Sequence, residues 1–150
     1  MPRLDARRVE AWQRLQGVVD ELTRGVDADL RQEWAVPLGL FDVLDVLRRL
    51  GGRGSPHEVA EALRIPISSL SRRLDRLEEE GWVSRQRASD PVDRRRVSVE
   101  LTSRGRALWR EMRLTYRRSV QGRFASHLDD DQIEAVLSVL AQVVDEPATS

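Results

Sequence analysis

The chain has 150 residues and a mass of 17.2 kDa, enough for one domain that buries roughly two-thirds of its unfolded surface without disulfides or metals. It has no cysteine, which excludes disulfide scaffolds, thiolate nucleophiles and cysteine redox sensing together. Its 25 basic and 25 acidic residues cancel, so only local clustering of charge can point to a polyanionic partner.

From Ala6 to Leu22 the residues Val9, Trp12, Leu15, Val19 and Leu22 recur at three- and four-residue steps and predict a long first helix with one apolar stripe. Gly25 is a place for it to fray or bend, Asp27 to Trp34 can continue it, and Pro37 forces a break or a new start. A second helix is expected from about Pro37 to Leu50, with Leu40, Val43, Leu44, Val46 and Leu47 on its apolar side and Gly51, Gly52 and Gly54 ending it. Ser55, Pro56 and Glu58 then supply an N-cap, a first-turn proline and a capping-box acid for a short third helix, Pro56 to Leu63. A few residues on, a fourth helix spans about Ile67 to Glu80 and is closed by Gly81. Two helices joined by so tight a turn predict a helix-turn-helix.

Beyond Gly81 the period changes to alternation. Val83, Arg85 and Arg87 share one face of a strand, Val97, Val99 and Leu101 form the inner face of a second, and Ala88 to Asp93 is a turn-rich tip between them. Thr102 caps a fifth helix, about Ser103 to His127, and Asp129 caps a sixth with Ile133, Val136, Leu137, Leu140 and Val144 on one stripe. Glu146 to Ser150 reads as a frayed tail.

The fourth helix divides cleanly on a wheel. Ile67, Leu70, Leu74 and Leu77 group together, while Ser68, Ser69, Arg72 and Arg76 turn to the other side, with Arg73 beside them. Short serines allow close approach to a groove, and arginine can make a bidentate pair with guanine or hold a phosphate. Taken alone, such a helix also reads as a solvated amphipathic surface. The hairpin that follows tips the balance, because Arg85, Arg87, Arg94, Arg95 and Arg96 face only Asp90 and Asp93 there, and an arginine-tipped hairpin fits a minor groove. Every basic residue is arginine and asparagine is also absent, a bias that a GC-rich genome explains by itself.

The run LSRRLDRLEEEGWVSRQRASDPVDRRRVSVELTSRG, Leu70 to Gly105, resembles the MarR family of winged-helix transcriptional regulators. The resemblance lies in the leucine-acid-glycine end of the reader helix (Leu77 to Val83), the Asp-x-Arg of the wing (Asp93, Arg94, Arg95) and the Leu101–Thr102 pair with Gly105 three residues on. It implies that Asp93 orients Arg95 by a charge-assisted hydrogen bond, with Arg94 beside it at the minor groove. One departure stands out: the reader helix opens with Ile65, Pro66 and Ile67, where the family often has serine, threonine or aspartate, so Pro66 offers a fixed φ but no side-chain cap.

The expected fold is mainly α with a small β-wing: about six helices and a two- or three-stranded antiparallel wing. The expected organisation is one domain over 1–150, with a winged-helix DNA-binding lobe at 36–102 and a helical dimerisation lobe from 1–35 and 103–150. The stripes of the first and sixth helices exceed what a small winged lobe can bury, so a two-fold homodimer is expected, the alternative being a larger monomeric core. Such a dimer on double-stranded DNA predicts a near-palindromic operator with half-sites about 10 base pairs apart.

The resemblance further implies a small aromatic or lipophilic effector, for which Trp12, Trp34 and Phe41 are candidate walls and Trp109 and Tyr116 further ones; large aromatics at helical spacing also read as plain core. His57 and His127, the only histidines, are too few for a typical transition-metal site, so no metal or other cofactor is expected. The chain lacks a phosphate-binding glycine loop, a nucleophile elbow and a histidine-based catalytic arrangement, so an enzyme is not expected. Nor does any run approach the roughly 20 apolar residues of a bilayer span. Met1 to Glu10 is charged, unlike a signal peptide, so a cytoplasmic protein with no membrane partner is expected. The alternative function is a winged-helix protein-interaction module, or a DNA binder without an effector.

Overall fold

The computed structural model describes residues 5–87 and 97–145, without the side chains of Arg87 and Asp145. Its elements in chain order are α1 (Ala6–Trp34), α2 (Leu38–Arg49), β1 (Arg53–Gly54), α3 (Pro56–Leu63), α4 (Ile67–Glu79), β2 (Val83–Arg87), β3 (Val97–Leu101), α5 (Ser103–Arg123) and α6 (Asp130–Asp145). A mainly helical chain with a small antiparallel sheet is therefore observed, as the periodicities predict. The chain divides into two units, one of residues 27–116 and one of residues 1–26 with 117–150.

In the unit of residues 27–116 the core is built by α2, α3, α4 and the sheet. Leu40, Phe41, Val43, Leu44, Val46 and Leu47 of α2, Val59 of α3, Leu70, Leu74 and Leu77 of α4, and Val83, Val99 and Leu101 of the sheet are all buried. Leu30, the last apolar residue of α1 before Trp34, and Met112 of α5 are buried as well. These contacts supply the hydrophobic stabilisation that the short helices lack by themselves.

Several ends are fixed by specific chemistry. Helix α1 runs through Gly25 unbroken and stops at Ala35, whose φ of 57° is left-handed. Pro37 opens α2 with no side-chain cap; instead Asp27, on α1, accepts the Leu38 N–H at 2.8 Å and so supplies the missing cap from 11 residues away. Ser55 and Glu58 form the expected capping box, the Glu58 N–H donating to Ser55 Oγ at 3.1 Å. At the other end of the chain Asp129 and Gln132 form an equivalent pair, the Gln132 N–H donating to Asp129 Oδ1 at 2.8 Å, so the cap predicted for α6 is present. The fifth helix is shorter than its periodicity suggests: it ends at Arg123, and Ala125–His127 is a separate 3-10 turn.

The sheet has the order β1-β3-β2, all antiparallel, with Val83 opposite Leu101, Arg85 opposite Val99 and Arg87 opposite Val97. Strand β1 pairs Arg53 with Glu100 and Gly54 with Val99. At two residues it is too short to show a period, which is why the sequence pattern does not reveal it.

The other unit contains the first part of α1 and all of α6. Here much of the predicted stripes is solvent-facing within one chain, while Leu22, Ile133 and Val136 are half-buried: Trp12 is 59% exposed, Leu15 46% and Val19 51%, and on α6 Leu137 is 57% and Val144 56% exposed. Leu140 and Val143 are exposed with them.

A tight junction links α4, the hairpin and α5. Gly81 turns the chain at a φ of +76°, a conformation that costs a side-chain-bearing residue energy. Its carbonyl accepts the Thr102 hydroxyl at 2.7 Å, while Thr102 Oγ1 accepts the Gly105 N–H at 3.0 Å. The α5 backbone thereby presses on the previous turn so closely that a Cβ on Gly105 would lie 2.0 Å from the Trp82 carbonyl oxygen. Because backbone is the obstacle, no side-chain rotation relieves it. Gly105→Ala is expected to lower unfolding free energy by about 1–3 kcal/mol or more in urea denaturation, while Gly17→Ala, with open space around it, leaves stability the same or slightly higher.

Candidate nucleic-acid interface

Helix α4 starts without a side-chain cap. Pro66 takes φ −60° and ψ 147°, and its carbonyl accepts the Ser69 and Leu70 N–H groups at 3.1 and 3.2 Å, so the proline's fixed φ does start the helix. Leu70, Leu74 and Leu77 fall on the buried side. Ile67, expected among them, is 45% exposed, because it lies one turn beyond the last core contact. Ser68, Arg72 and Arg76 are exposed on the outer side and Ser69 is half-buried.

Arg73 departs from the expectation. It is half-buried, and its Nη1 donates to the Gly39 carbonyl at 3.1 Å, tying the middle of α4 to the first turn of α2. One turn along α2, burial pushes the Asp42 carboxyl up from 3.8 to about 6, with Asp45 adding to the rise and Arg73 and Arg49 opposing it. The same burial, helped by Asp42 and Asp45, raises the Tyr116 hydroxyl above its ordinary value. Arg73 thus serves the α2–α4 contact rather than the outer face.

Arg85 departs in the same way. Its side chain is only 26% exposed and its Nη2 donates to Asp75 Oδ1 at 2.6 Å and to the Ser71 carbonyl at 3.3 Å. Its backbone N–H donates to Glu78 Oε2 at 3.2 Å. Glu78 is therefore a bonded partner of the hairpin, a role its place in a run of three glutamates did not suggest.

The wing itself is described only at its base. Arg87 closes β2 opposite Val97; its side chain, and the predicted wing residues Asp93, Arg94, Arg95 and Arg96, lie outside the described residues, as does the tip from Ala88 to Asp93.

The candidate effector walls divide. Phe41 is 1% exposed, its ring 4.9 Å from that of Tyr116, so it is sealed core rather than an open wall. Trp34 is half-buried and donates its indole N–H to Thr115 Oγ1 at 2.9 Å. Trp12 belongs to the other unit and is well exposed. Trp109 donates to Asp45 Oδ1 at 3.0 Å, with the Arg48 and Arg113 guanidiniums 5.4 and 5.5 Å from its ring centre. His57 and His127 are exposed, and among the described residues no three metal-ligating side chains cluster. No helix among the described residues is long and apolar enough to cross a membrane.

A capped helix, a tight turn, a second helix with one free polar face and an antiparallel hairpin behind it define a winged helix-turn-helix protein. Residues 40–96 match the model of the MarR family. The chain is 46% identical over 72 residues to the HTH-type transcriptional regulator PecS of Dickeya dadantii, an alignment that takes in 45% of this chain and 41% of PecS. The chain thus spans about two-fifths of that relative. Among solved structures it is similar to Sco3205, a MarR family transcriptional regulator from Streptomyces coelicolor in complex with DNA, with a TM-score of 0.83 and 23% identity over 99% of this chain and 94% of that one. It is also similar to Bordetella bronchiseptica BpsR, whose DNA binding is regulated by 6-hydroxynicotinic acid, with a TM-score of 0.78 and 24% identity over 98% and 100% of the two chains. At these identities the two structures establish the fold.

The position of Asp42 gives a pH dependence with a definite sign. A carboxyl that titrates near 6 when folded and near 3.8 when unfolded holds a proton in the native state that the unfolded chain releases. Its stabilising contribution is full below about pH 4 and is lost as pH rises to 6 and beyond. Asp42→Asn is therefore expected to gain on the parent protein between pH 4 and 7.5, by on the order of 1–2 kcal/mol after allowing for partial solvent exposure, measured as the difference in urea unfolding free energy at the two pH values. A constant difference across that range counts against a buried, destabilised carboxylate.

Proposed function

We propose that this chain is a transcriptional regulator, a repressor, that binds double-stranded DNA in a sequence-specific way as a homodimer on a near-palindromic operator. The observation that carries the reading is the outer face of α4, where Ser68, Arg72 and Arg76 stand clear of the core while Leu70, Leu74 and Leu77 anchor the helix. Ser69 lies at the edge of that face. Arg72 and Arg76 are placed one turn apart, a spacing that lets one guanidinium read a base edge while the next holds a phosphate. The wing residues Arg87, Arg94, Arg95 and Arg96, with Asp93 orienting Arg95, complete the surface in this reading. Arg73 and Arg85 are left out of the DNA-contacting set because their guanidiniums are engaged within the protein.

The dimer follows from the apolar stripes. Trp12, Leu15 and Val19 on α1, and Leu137, Leu140 and Val144 on α6, leave in water a quantity of apolar surface that a monomer rarely carries, and a second copy of the chain is the occupant. A two-fold pair presents two α4 helices, which asks for inverted half-sites about one turn of DNA apart. The resemblance of the winged segment to MarR-type regulators and the effector-controlled DNA binding of BpsR support release by a small aromatic or lipophilic ligand.

Two measurements test this. In fluorescence titrations against duplex from its own upstream region, affinity is expected to fall with log salt at a slope of about −0.9 per phosphate held, and Arg72→Ala to cost about 1–3 kcal/mol with relaxed preference at one base pair. Binding that ignores salt, or an Arg72→Ala variant with unaltered affinity and preference, removes α4 as the reader. In sedimentation equilibrium the parent chain is expected at twice its monomer mass and Leu15→Glu is expected to shift toward monomer; a monomeric parent removes the dimer.

A further inference from the structure

We propose that Arg85 is a positioning residue that latches the hairpin to the reader helix, setting the angle at which wing and α4 meet a duplex without touching the duplex itself. The proposal rests on the DNA-binding reading above and changes the role that the sequence pattern gives this arginine.

The Thr102 N–H donates to the Trp82 carbonyl at 3.2 Å, so the hydrogen-bonded pairs of the β2–β3 ladder fall at Ser84 with Glu100 and at Gln86 with Ser98. Arg85, opposite Val99, sits at a non-bonded pair, and its N–H points off the open edge of the sheet. Such an edge donor ordinarily goes to water. Here the Glu78 carboxylate of α4 takes it, at 3.2 Å.

The side chain makes the second connection. Its Nη2 reaches both the Ser71 carbonyl and the Asp75 carboxylate, while its Nε is buried and makes no hydrogen bond among the described residues. A guanidinium stays charged at every physiological pH, so withdrawing part of it from water is costly. The carboxylate at 2.6 Å offsets that cost only while the hairpin keeps this one orientation. The group is thus held by its partners and is poorly placed to serve a phosphate.

The three acceptors share one line. Ser71, Asp75 and Glu78 are spaced four and three residues apart and so form a single stripe along α4. Each of the first two is followed directly by an exposed arginine, Arg72 and Arg76. A strand fastened along that stripe cannot roll about α4 without breaking the latch, so the rotation of the reader face relative to the wing base is fixed by residues outside the reader face. Both side-chain contacts come from one nitrogen, Nη2, so lysine in place of Arg85 keeps the charge and a donor but loses the planar geometry that aims it.

The test uses the full-length protein with two probes, a 30-base-pair duplex enriched by the parent protein from a randomised pool and a scrambled duplex of equal length. Amide exchange in the free protein is expected to quicken at residues 83–87 in both Arg85→Met and Asp75→Ala, the second of which alters an exposed side chain and leaves the core intact. Arg85→Met is then expected to lose ~10-fold or more in affinity for the enriched duplex while its affinity for the scrambled duplex and its salt slope match the parent's. Arg85→Lys, which keeps the charge and one donor nitrogen, is expected to restore part of the loss.

Unchanged exchange in both variants overturns the latch. A salt slope smaller by about 0.9, with equal loss on both duplexes, overturns the positioning role and makes Arg85 a phosphate contact. If the parent protein enriches no duplex, the DNA-binding reading itself fails and the role in setting a DNA-binding angle falls with it. The exchange data then still decide whether the hairpin is fastened to α4.

Discussion

Burial of Leu70, Leu74 and Leu77 fixes the rotation of α4, and nearly everything proposed for the chain depends on that rotation. A helix with three leucines in a core has little freedom to turn about its axis, because a turn of one residue would trade apolar contacts for solvent and bring a charge inward. Ser68, Arg72 and Arg76 are outside for that reason, and Ser71, Asp75 and Glu78 come to lie along the hairpin. One apolar stripe thus determines two polar ones.

The arginines of this region have identical chemistry and three different fates. Arg72 and Arg76 remain in water, Arg73 is spent on a main-chain carbonyl of α2, and Arg85 is spent on α4. A guanidinium turned inward needs acceptors, and the protein provides them from the backbone at Gly39 and Ser71 and from one carboxylate, Asp75. The positive surface is therefore narrower than a count of basic residues implies. The inward pair tie together the elements that carry the outward pair.

The junction of Gly81, Thr102 and Gly105 plays the corresponding part for the hairpin. Thr102 uses one hydroxyl to accept from the start of α5 and to donate to the end of the α4 turn, so that the two ends of the hairpin between them are pinned together. The Leu-Thr and glycine residues that carry the family resemblance are in this light a device for bringing two backbones into contact. Gly105 is required there by the Trp82 carbonyl, whatever the chain binds.

From the sequence alone came the six helices, the hairpin, the caps at Ser55 and Asp129 and the division of α4 into apolar and polar sides, because each is written in spacings of two to four residues that local geometry reads directly. The inward course of Arg73 and Arg85, the cap that Asp27 gives α2, the strand at Arg53–Gly54 and the sealing of Phe41 were decided by tertiary structure. In most of these the partner is remote in the chain: Gly39 lies 34 residues from Arg73, and Asp75 lies 10 residues from Arg85. A helical wheel tells which way a side chain leaves its own helix; what stands there to receive it depends on how the other elements pack.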